Sequence, residues 1–347
     1  MCEKHINTKV VNYPDKEGMA EAAKLIREGK LVAFPTETVY GLGANALMAN
    51  AAEKVYAAKG RPSDNPLIIH LANAEDAKKY CEVTGEFERL AKAFTPGPLT
   101  VVMKKKDIIP STVTGGLDTV AVRIPSHAAA RELITLAGVP IAAPSANLSG
   151  RPSTTSADHV ISDMLGRIDM IIDGGGCDIG LESTIVAIVG ENKLKMLRPG
   201  AVTLEMLRNE GFEVTLDKAV TEKLSEGEKP AAPGMKYRHY APVSPVTLID
   251  ACDEKRVEFM AKFIGDSSVA LVCFEEDVTI KNAKNAVVLG RKDDLAAQAH
   301  KLFALLRAFD EKSEIKQIYA PLPDKSGIGL AIFNRMLKAS GYSVIRP

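Results

Sequence analysis

The sequence predicts an α/β protein with two domains: a twisted, mixed sheet with helices, followed by a smaller parallel α/β domain of Rossmann-like type. Three observations predict this. The chain has 347 residues, enough for two hydrophobic cores. Apolar strand-like runs and helical runs are mixed without strict alternation up to about residue 212, which favours a mixed sheet. From residue 244 onward they alternate more regularly, as in successive βαβ units.

The first domain, residues 1–212, opens with helical spacing over 17–27 and then a buried strand, Leu31–Phe34, which Pro35 ends. The apolar run that His70 closes predicts another strand. The other predicted strands of this domain are 99–103, 119–124, 139–143, 169–172, 183–189 and 193–197, and its other helices are 51–58, 87–94, 128–136 and 204–209.

A linker is predicted at residues 213–243, because apolar periodicity is lost there. The segment Gly327-Ile328-Gly329 lacks the third glycine of a dinucleotide fingerprint, so it predicts only a helix start. The second domain, residues 244–347, has predicted strands at 246–249, 269–274, 286–289, 317–320 and 342–345, and predicted helices that end near 264 and span 294–309 and 329–339.

Composition excludes several classes of function. The formal charge is zero and only 5% of residues are aromatic, which disfavours both a broad basic face and a platform for stacked bases. No apolar run reaches membrane-spanning length, and the first residues lack the apolar core of a signal peptide. The five cysteines are scattered, with no CxxC pair, as in proteins with reduced thiols. The sequence therefore predicts a cytoplasmic protein without a membrane anchor or a metal site of its own.

Two cations lie on a rigid bend that follows the helical run 51–58. Gly60 suits the left-handed residue at a helix end, and the prolines at 62 and 66 keep the next residues out of the helical region. Lys59 and Arg61 are thereby fixed two residues apart, which suits a polyphosphate. They would equally complement the negative end of the helix dipole, and the bend alone does not decide between the two.

Polar side chains also follow several predicted strands, where ligand sites gather in open α/β sheets. Each has a structural explanation as a cap or turn residue. Together with Lys59 and Arg61 they would form one pocket with cations for phosphates and hydroxyls for a small polar substrate. No P-loop, kinase signature or nucleophile elbow is present, so positioning and charge stabilisation are favoured over covalent catalysis. The residues concerned are Thr36, Thr38, Arg123, Ser145, Asn147, Ser183, Thr184 and Arg198.

The sequence resembles the threonylcarbamoyl-AMP synthase family, the YrdC-like proteins, and among them the longer members with an extra C-terminal domain. The paired signature KxR and SxN is intact as Lys59/Arg61 and Ser145/Asn147. The match covers essentially the whole chain. The segments that carry it are FPTETVYGLG at 34–43, KGRP at 59–62, NPL at 65–67, PGPLT at 96–100, AVRIP at 121–125, APSAN at 143–147, LRPG at 197–200, PGMKYRHYAP at 233–242, and GLAI with NR at 329–335.

The resemblance implies a YrdC-like first domain and a nucleotidyl transfer reaction. L-threonine, bicarbonate or CO2, and ATP would condense to threonylcarbamoyl-AMP and pyrophosphate. The product would feed the N6-threonylcarbamoyl modification of adenosine 37 in tRNAs that read ANN codons. The expected partners are therefore the small-molecule substrates and a downstream tRNA threonylcarbamoyl transferase. A weak contact with tRNA is expected as well. Mg2+ would arrive on the triphosphate, without a protein cage.

The resemblance also implies roles for single residues. Lys59 and Arg61 are expected to be catalytic, as stabilisers of phosphate and carbamate. Tyr237 is expected to act as a lid over the nucleotide; the alternative is a tether that only packs against the first domain. His70 also fits a purely structural histidine at a strand end. The expected ATP contacts are Arg61, Asn65, Thr119, Ser145, Asn147, Ser153, Arg198 and Tyr237. The expected threonine contacts are Thr36, His70, Arg123 and Ser183, with Arg123 pairing the carboxylate.

The sequence leaves two other functions as alternatives. An RNA-binding YrdC-like module is one, although the neutral charge and the few aromatic residues argue against it. A maturation enzyme that handles carbamoyl-adenylate through a related domain is the other. Such enzymes carry CxxC zinc-finger regions, and this chain has no CxxC.

Overall fold

The computed structural model describes residues 6–223, 232–233 and 239–347. These residues form two compact units. The first contains nearly all of the described chain up to residue 233, and the second contains 239–347 together with Gly150–Pro152 and Ile179–Leu181. Among the described residues, no helix combines the length and the apolar character needed to cross a bilayer.

The first unit is built on an 11-stranded sheet. Neighbouring strands are parallel in some pairs, such as β4 with β6, and antiparallel in others, such as β5 with β6, so the predicted mixed sheet is confirmed. Its strands are β1 (Lys9–Asn12), β2 (Val32–Phe34), β3 (Gly41–Asn45), β4 (Ile68–His70), β5 (Leu99–Lys104), β6 (Thr119–Arg123), β7 (Ile141–Ala143), β8 (Met170–Asp173), β9 (Thr184–Gly190), β10 (Lys193–Arg198) and β11 (Glu213–Leu216), in the spatial order β1-β8-β2-β3-β7-β4-β6-β5-β9-β10-β11.

Both faces of this sheet are covered, as strand β2 shows. Ala33 packs in one hydrophobic core, whereas Val32 and Phe34 pack in another, because successive side chains of a strand point to opposite faces. The helices that cover the faces are α1 (Lys16–Arg27), α2 (Ala49–Lys59), α3 (Gly85–Phe94), α4 (Ala128–Ala137), α5 (Ala157–Met164) and α6 (Leu204–Asn209).

The second unit holds a five-stranded sheet in which every pairing is parallel. The predicted parallel α/β domain is therefore confirmed. Gly329 is the first residue of a helix, as the sequence predicted for the Gly327-Ile328-Gly329 segment. The elements are β12 (Val246–Ile249), α7 (Asp253–Ala261), β13 (Val269–Phe274), β14 (Ala286–Gly290), α8 (Leu295–Asp310), β15 (Gln317–Pro321), α9 (Gly329–Ala339) and β16 (Val344–Ile345), with the strand order β14-β13-β15-β12-β16.

The structure differs from the predicted linker at its beginning. Residues 213–216 form β11, which pairs in parallel with β10, and Val214 is buried in the core. A short 3-10 turn, Lys218–Val220, then buries Ala219 and Val220. Three apolar side chains were too few to produce a visible period in the sequence, yet they suffice to fix this edge of the sheet. Tyr237, the expected lid residue, lies outside the described residues.

Candidate active site

Strands β4, β6, β5, β9 and β10 bring predicted site residues into one row. Residues directly opposite each other on neighbouring strands point to the same face of a sheet. His70 pairs with Arg123, Arg123 with Thr100, Thr100 with Ile185, and Ile185 with Arg198. The row therefore carries two buried arginines and one histidine on a single face. His70 and Arg198, at its two ends, are 128 residues apart in the sequence.

Arg123, the last residue of β6, is 4% exposed and forms a buried ion pair. Its Nη2 donates to Glu37 Oε1 at 2.7 Å and lies 3.5 Å from the Thr36 hydroxyl. The Nε–H of the same guanidinium is buried and has no hydrogen-bond partner in the described part of the chain. A buried donor without an acceptor is costly, so this edge of Arg123 is suited to an anionic ligand.

The charges beside Arg123 follow from burial and from the guanidinium itself. Burial, followed by the positive charge of Arg123, lowers the pKa of His70 to about 3. His70 is therefore neutral at pH 7, and its Nδ1 lies 3.3 Å from the carbonyl oxygen of Ile141, to which it donates. Burial is the largest influence on Glu37 and would raise its pKa, but the charge of Arg123 together with the hydrogen bonds from Arg123 and from backbone amides outweighs it, and the pKa is lowered. The row thus combines an ion pair with a neutral imidazole whose Nε2 is an acceptor.

Arg198 and Ser183 form the other end of the row. The Arg198 Nε donates to the Ser183 carbonyl at 3.0 Å, and its Nη2 donates to the Ser183 hydroxyl at 3.2 Å. The same hydroxyl lies 2.7 Å from the hydroxyl of Thr100. Ser183, expected beside threonine, and Arg198, expected beside ATP, are thus in direct contact.

A second group of predicted residues surrounds the bend after α2. Lys59 is only 2% exposed, and its Nζ donates to the carbonyl oxygens of Ser145, at 2.5 Å, and Asn147. Its own carbonyl accepts from the Ser149 amide at 2.9 Å. The Ser145 hydroxyl donates to Asn147 Oδ1 at 2.5 Å. The KxR and SxN segments, far apart in sequence, are therefore held together by the lysine.

Arg61 is half-buried on the same bend. Its Nε donates to the Asn65 carbonyl at 3.4 Å and its Nη2 to the Pro66 carbonyl at 3.2 Å. Asn65 is 1% exposed, and its Oδ1 has no hydrogen-bond partner in the described chain. Gly60, with φ 62°, makes the left-handed turn that the sequence predicted. This group therefore offers a ligand the guanidinium of Arg61 and the side-chain oxygen of Asn65.

The two groups lie at opposite ends of the same strands. Thr119, the first residue of β6, and Arg123, its last, point to one face because they are four residues apart. They are separated by about 13 Å, at roughly 3.3 Å per residue. Ile68 pairs with Ala121, so Thr119 is level with the bend around Asn65, on the expected nucleotide side. Ser153, 1% exposed, instead donates to Glu182.

Three residues of this site were not identified from the sequence. Glu37 pairs with Arg123, Thr100 with Ser183, and Glu182 with Ser153. Thr100 carried a signal, since it is one polar residue inside an apolar strand run. Glu37 carried another, as an acidic residue between two threonines directly after a buried strand. The residues around Glu182 in the sequence carry no signal that would have identified it as a site residue.

Comparison with known proteins agrees with this architecture. A family model described as "Telomere recombination" matches residues 24–200, and one described as "Threonylcarbamoyl-AMP synthase, C-terminal domain" matches 202–341. Threonylcarbamoyl-AMP synthase of Pyrococcus abyssi is 47% identical over 94% of each chain, and that of Bacillus subtilis is 44% identical over 94% of each.

Solved structures give the same result. The crystal structure of P. abyssi Sua5 complexed with L-threonine is 45% identical, with a TM-score of 0.89, and the match covers 98% of this chain and 99% of that one. The sequence identity and the coverage of both domains agree on a single family. The chain belongs to the threonylcarbamoyl-AMP synthases, in their two-domain form.

Proposed function

We propose that the described face of β4, β6 and β5 is where this enzyme joins L-threonine, bicarbonate or CO2, and ATP into threonylcarbamoyl-AMP, releasing pyrophosphate. Membership of the family supports the reaction, and the complex of the P. abyssi relative with L-threonine supports an amino-acid pocket. The observation that carries the assignment of the site is the buried Nε–H of Arg123, which has no acceptor in the described chain.

The amino acid is assigned to the carboxyl end of β6. Its carboxylate would accept from Arg123, as a charge-assisted hydrogen bond in a buried site. The neutral His70 offers an acceptor nitrogen to the threonine hydroxyl, because its other nitrogen donates to a backbone carbonyl. Thr36 and Ser183 border the same end and would complete the pocket.

The nucleotide is assigned to the opposite end, beside the bend. Arg61 would face the phosphates as a planar cation, and Asn65 Oδ1 would accept from a donor of the ligand. Thr119, Ser145, Asn147, Ser153 and Tyr237 remain predicted ATP contacts. Arg198, which contacts Ser183 at the amino-acid end, remains a predicted ATP contact where the nucleotide meets the amino acid. We assign Lys59 to hold the Ser145–Asn147 loop in place. Mg2+ is assigned to the triphosphate itself, since the bend at residues 59–66 carries a single carboxylate, Asp64, which is too few ligands for a protein cage.

The chemistry then needs the two ends to be bridged. The threonine amine adds to CO2 and loses a proton, forming a carbamate. A carbamate oxygen forms a bond to the α-phosphorus while the bond from that phosphorus to the pyrophosphate oxygen breaks. Two anions must approach each other, so the protein contributes positive charge at Arg61 and Arg198 and positioning of the amino acid at Arg123.

The test is a reaction with ATP, Mg2+, labelled bicarbonate and each amino acid in turn. With threonine, we expect the label to appear in an adenylate and one pyrophosphate to be released for each adenylate formed. Release of pyrophosphate without threonine would overturn the assignment, and AMP formed from carbamoyl phosphate would favour the maturation-enzyme alternative. Delivery of the product to a tRNA threonylcarbamoyl transferase, a weak tRNA contact and a cytoplasmic location remain parts of the proposal.

A further inference from the structure

Glu37 is a buried carboxylate that the proposed chemistry does not use. It lies between β2 and β3 and is 5% exposed. Its Oε1 accepts from Arg123 Nη2 at 2.7 Å. Its Oε2 accepts from the Ser126 amide, just past β6, at 3.2 Å. One carboxylate therefore binds both the guanidinium and the backbone that follows the strand carrying it.

This arrangement fixes how the guanidinium is presented. Arg123 is a long side chain with several rotatable bonds, and binding at Nη2 removes most of that freedom. With Nη2 committed to Glu37, the Nε–H is the donor that is left buried without an acceptor in the described chain. The ion pair therefore anchors one end of the guanidinium and leaves the Nε–H as a buried donor for a ligand.

The pair also sets the charge of the pocket. Without Glu37, Arg123 would be a buried and uncompensated cation, a state that proteins avoid because desolvation is costly. With Glu37, the pair is neutral before the ligand binds. A substrate carboxylate is then recognised through a directed hydrogen bond and not through a net positive field, which would attract any small anion.

We propose that Glu37 is a positioning residue, which holds Arg123 so that its Nε edge meets the carboxylate of the amino-acid substrate. This inference rests on the proposed function for the identity of that substrate. It assigns Glu37 no contact with the reacting atoms. It predicts that Glu37 controls the affinity for threonine and leaves the affinity for ATP essentially unchanged.

The first test is Glu37→Gln. Glutamine keeps one acceptor oxygen and has an NH2 donor in place of the other, so it cannot accept from Arg123 and from the Ser126 amide at the two positions that the carboxylate oxygens occupy. The KM for threonine should rise about tenfold or more, as expected when a buried charge-assisted hydrogen bond is lost, while the KM for ATP changes less than about twofold. The matched control is Glu82→Gln, which makes the same change in an exposed pair with Lys104 and should alter neither.

Chemical rescue provides a second test, which does not depend on the stability of the single variant. Arg123→Ala should lose activity with threonine and regain part of it in millimolar guanidinium, because Glu37 would hold the free cation in the vacated space. The double variant Arg123→Ala/Glu37→Gln lacks both charges, so it leaves no uncompensated buried ion. It should show no rescue by guanidinium.

The outcomes separate this inference from the proposed function. If the unaltered protein makes no threonine-dependent adenylate, the proposed function fails, whatever Glu37 does. If it does make the product, the inference is overturned by an unchanged KM for threonine in Glu37→Gln, or by equal rescue of the single and double variants. Equal rises in both KM values with a lowered Tm would show a purely structural role and would also overturn it.

Discussion

Lys59 Nζ donates a hydrogen bond to the carbonyl oxygen of Ser145 at 2.5 Å, in a position where the lysine is 2% exposed. The same amine donates to Asn147, two residues further along the loop. The family signature that pairs KxR with SxN therefore has a physical basis: the lysine of the first motif ties down the backbone of the second. Lys59 was expected to face phosphate directly, and that role remains a prediction beside this one.

Replacing Lys59 by methionine should loosen the loop. Methionine fills a similar volume but cannot donate, so two buried carbonyls lose their partner. We expect the KM for ATP to rise about tenfold or more, and amide hydrogen exchange to quicken at residues 145–149. Lys59→Arg should not restore either, since a planar guanidinium does not place one donor atom between both carbonyls as the compact amine does. Full exchange protection in an inactive Lys59→Met protein would instead favour direct action on phosphate.

Arg61→Ala should lower the rate of threonine- and bicarbonate-dependent pyrophosphate release at least about a hundredfold, because Arg61 is the cation assigned to the phosphates. The bend is kept by Gly60 and Pro66, so the circular dichroism spectrum should not change. Arg167→Ala, at an exposed arginine outside the site, is the control and should retain full activity. Turnover within a few fold of the unaltered protein would place the phosphates elsewhere.

Thr100→Val should weaken threonine binding. The two side chains have similar volumes, but the valine removes the hydroxyl that lies 2.7 Å from that of Ser183. The loss of one buried hydrogen bond, about 1–1.5 kcal/mol, corresponds to a rise of about tenfold in the KM for threonine. Steady-state kinetics with each substrate varied in turn would measure it. An unchanged KM for threonine would remove Ser183 from the pocket.

His70 should make the protein less stable in mild acid. Its pKa is lowered from 6.5 to about 3 by burial and by Arg123, so the unfolded state binds the proton more readily. This contribution is complete above about pH 6.5 and is lost as the pH falls toward 3, by up to about 1.4 kcal/mol per pH unit.

The effect of His70 is separable from that of Glu37, whose lowered pKa acts only below the ordinary value of 4.5. Urea unfolding between pH 6.5 and 4.5 should therefore show a shallower dependence on pH in His70→Gln than in the unaltered protein. Parallel curves would mean that His70 is protonated inside the fold.

The apolar pattern of the sequence determined most of the fold. Period-two and helical spacing are local properties, and they located most of the strands from Leu31 to Ile345 and the change from a mixed to a parallel sheet. They did not find β1, β3, α5 or β11. In β11, Val214 is the only buried residue of the strand. Burial there depends on a neighbouring strand that is already in place.

Resemblance to the family indicated the site residues, but only the tertiary structure decided how they meet. Strand register aligns His70, Arg123, Thr100 and Arg198 in one row, and register depends on pairing between segments far apart in the chain. The partners Glu37 and Thr100 emerge only from that pairing. Local sequence sets which element each residue joins, whereas long-range packing sets which side chains share one face and therefore which charges and hydroxyls act together.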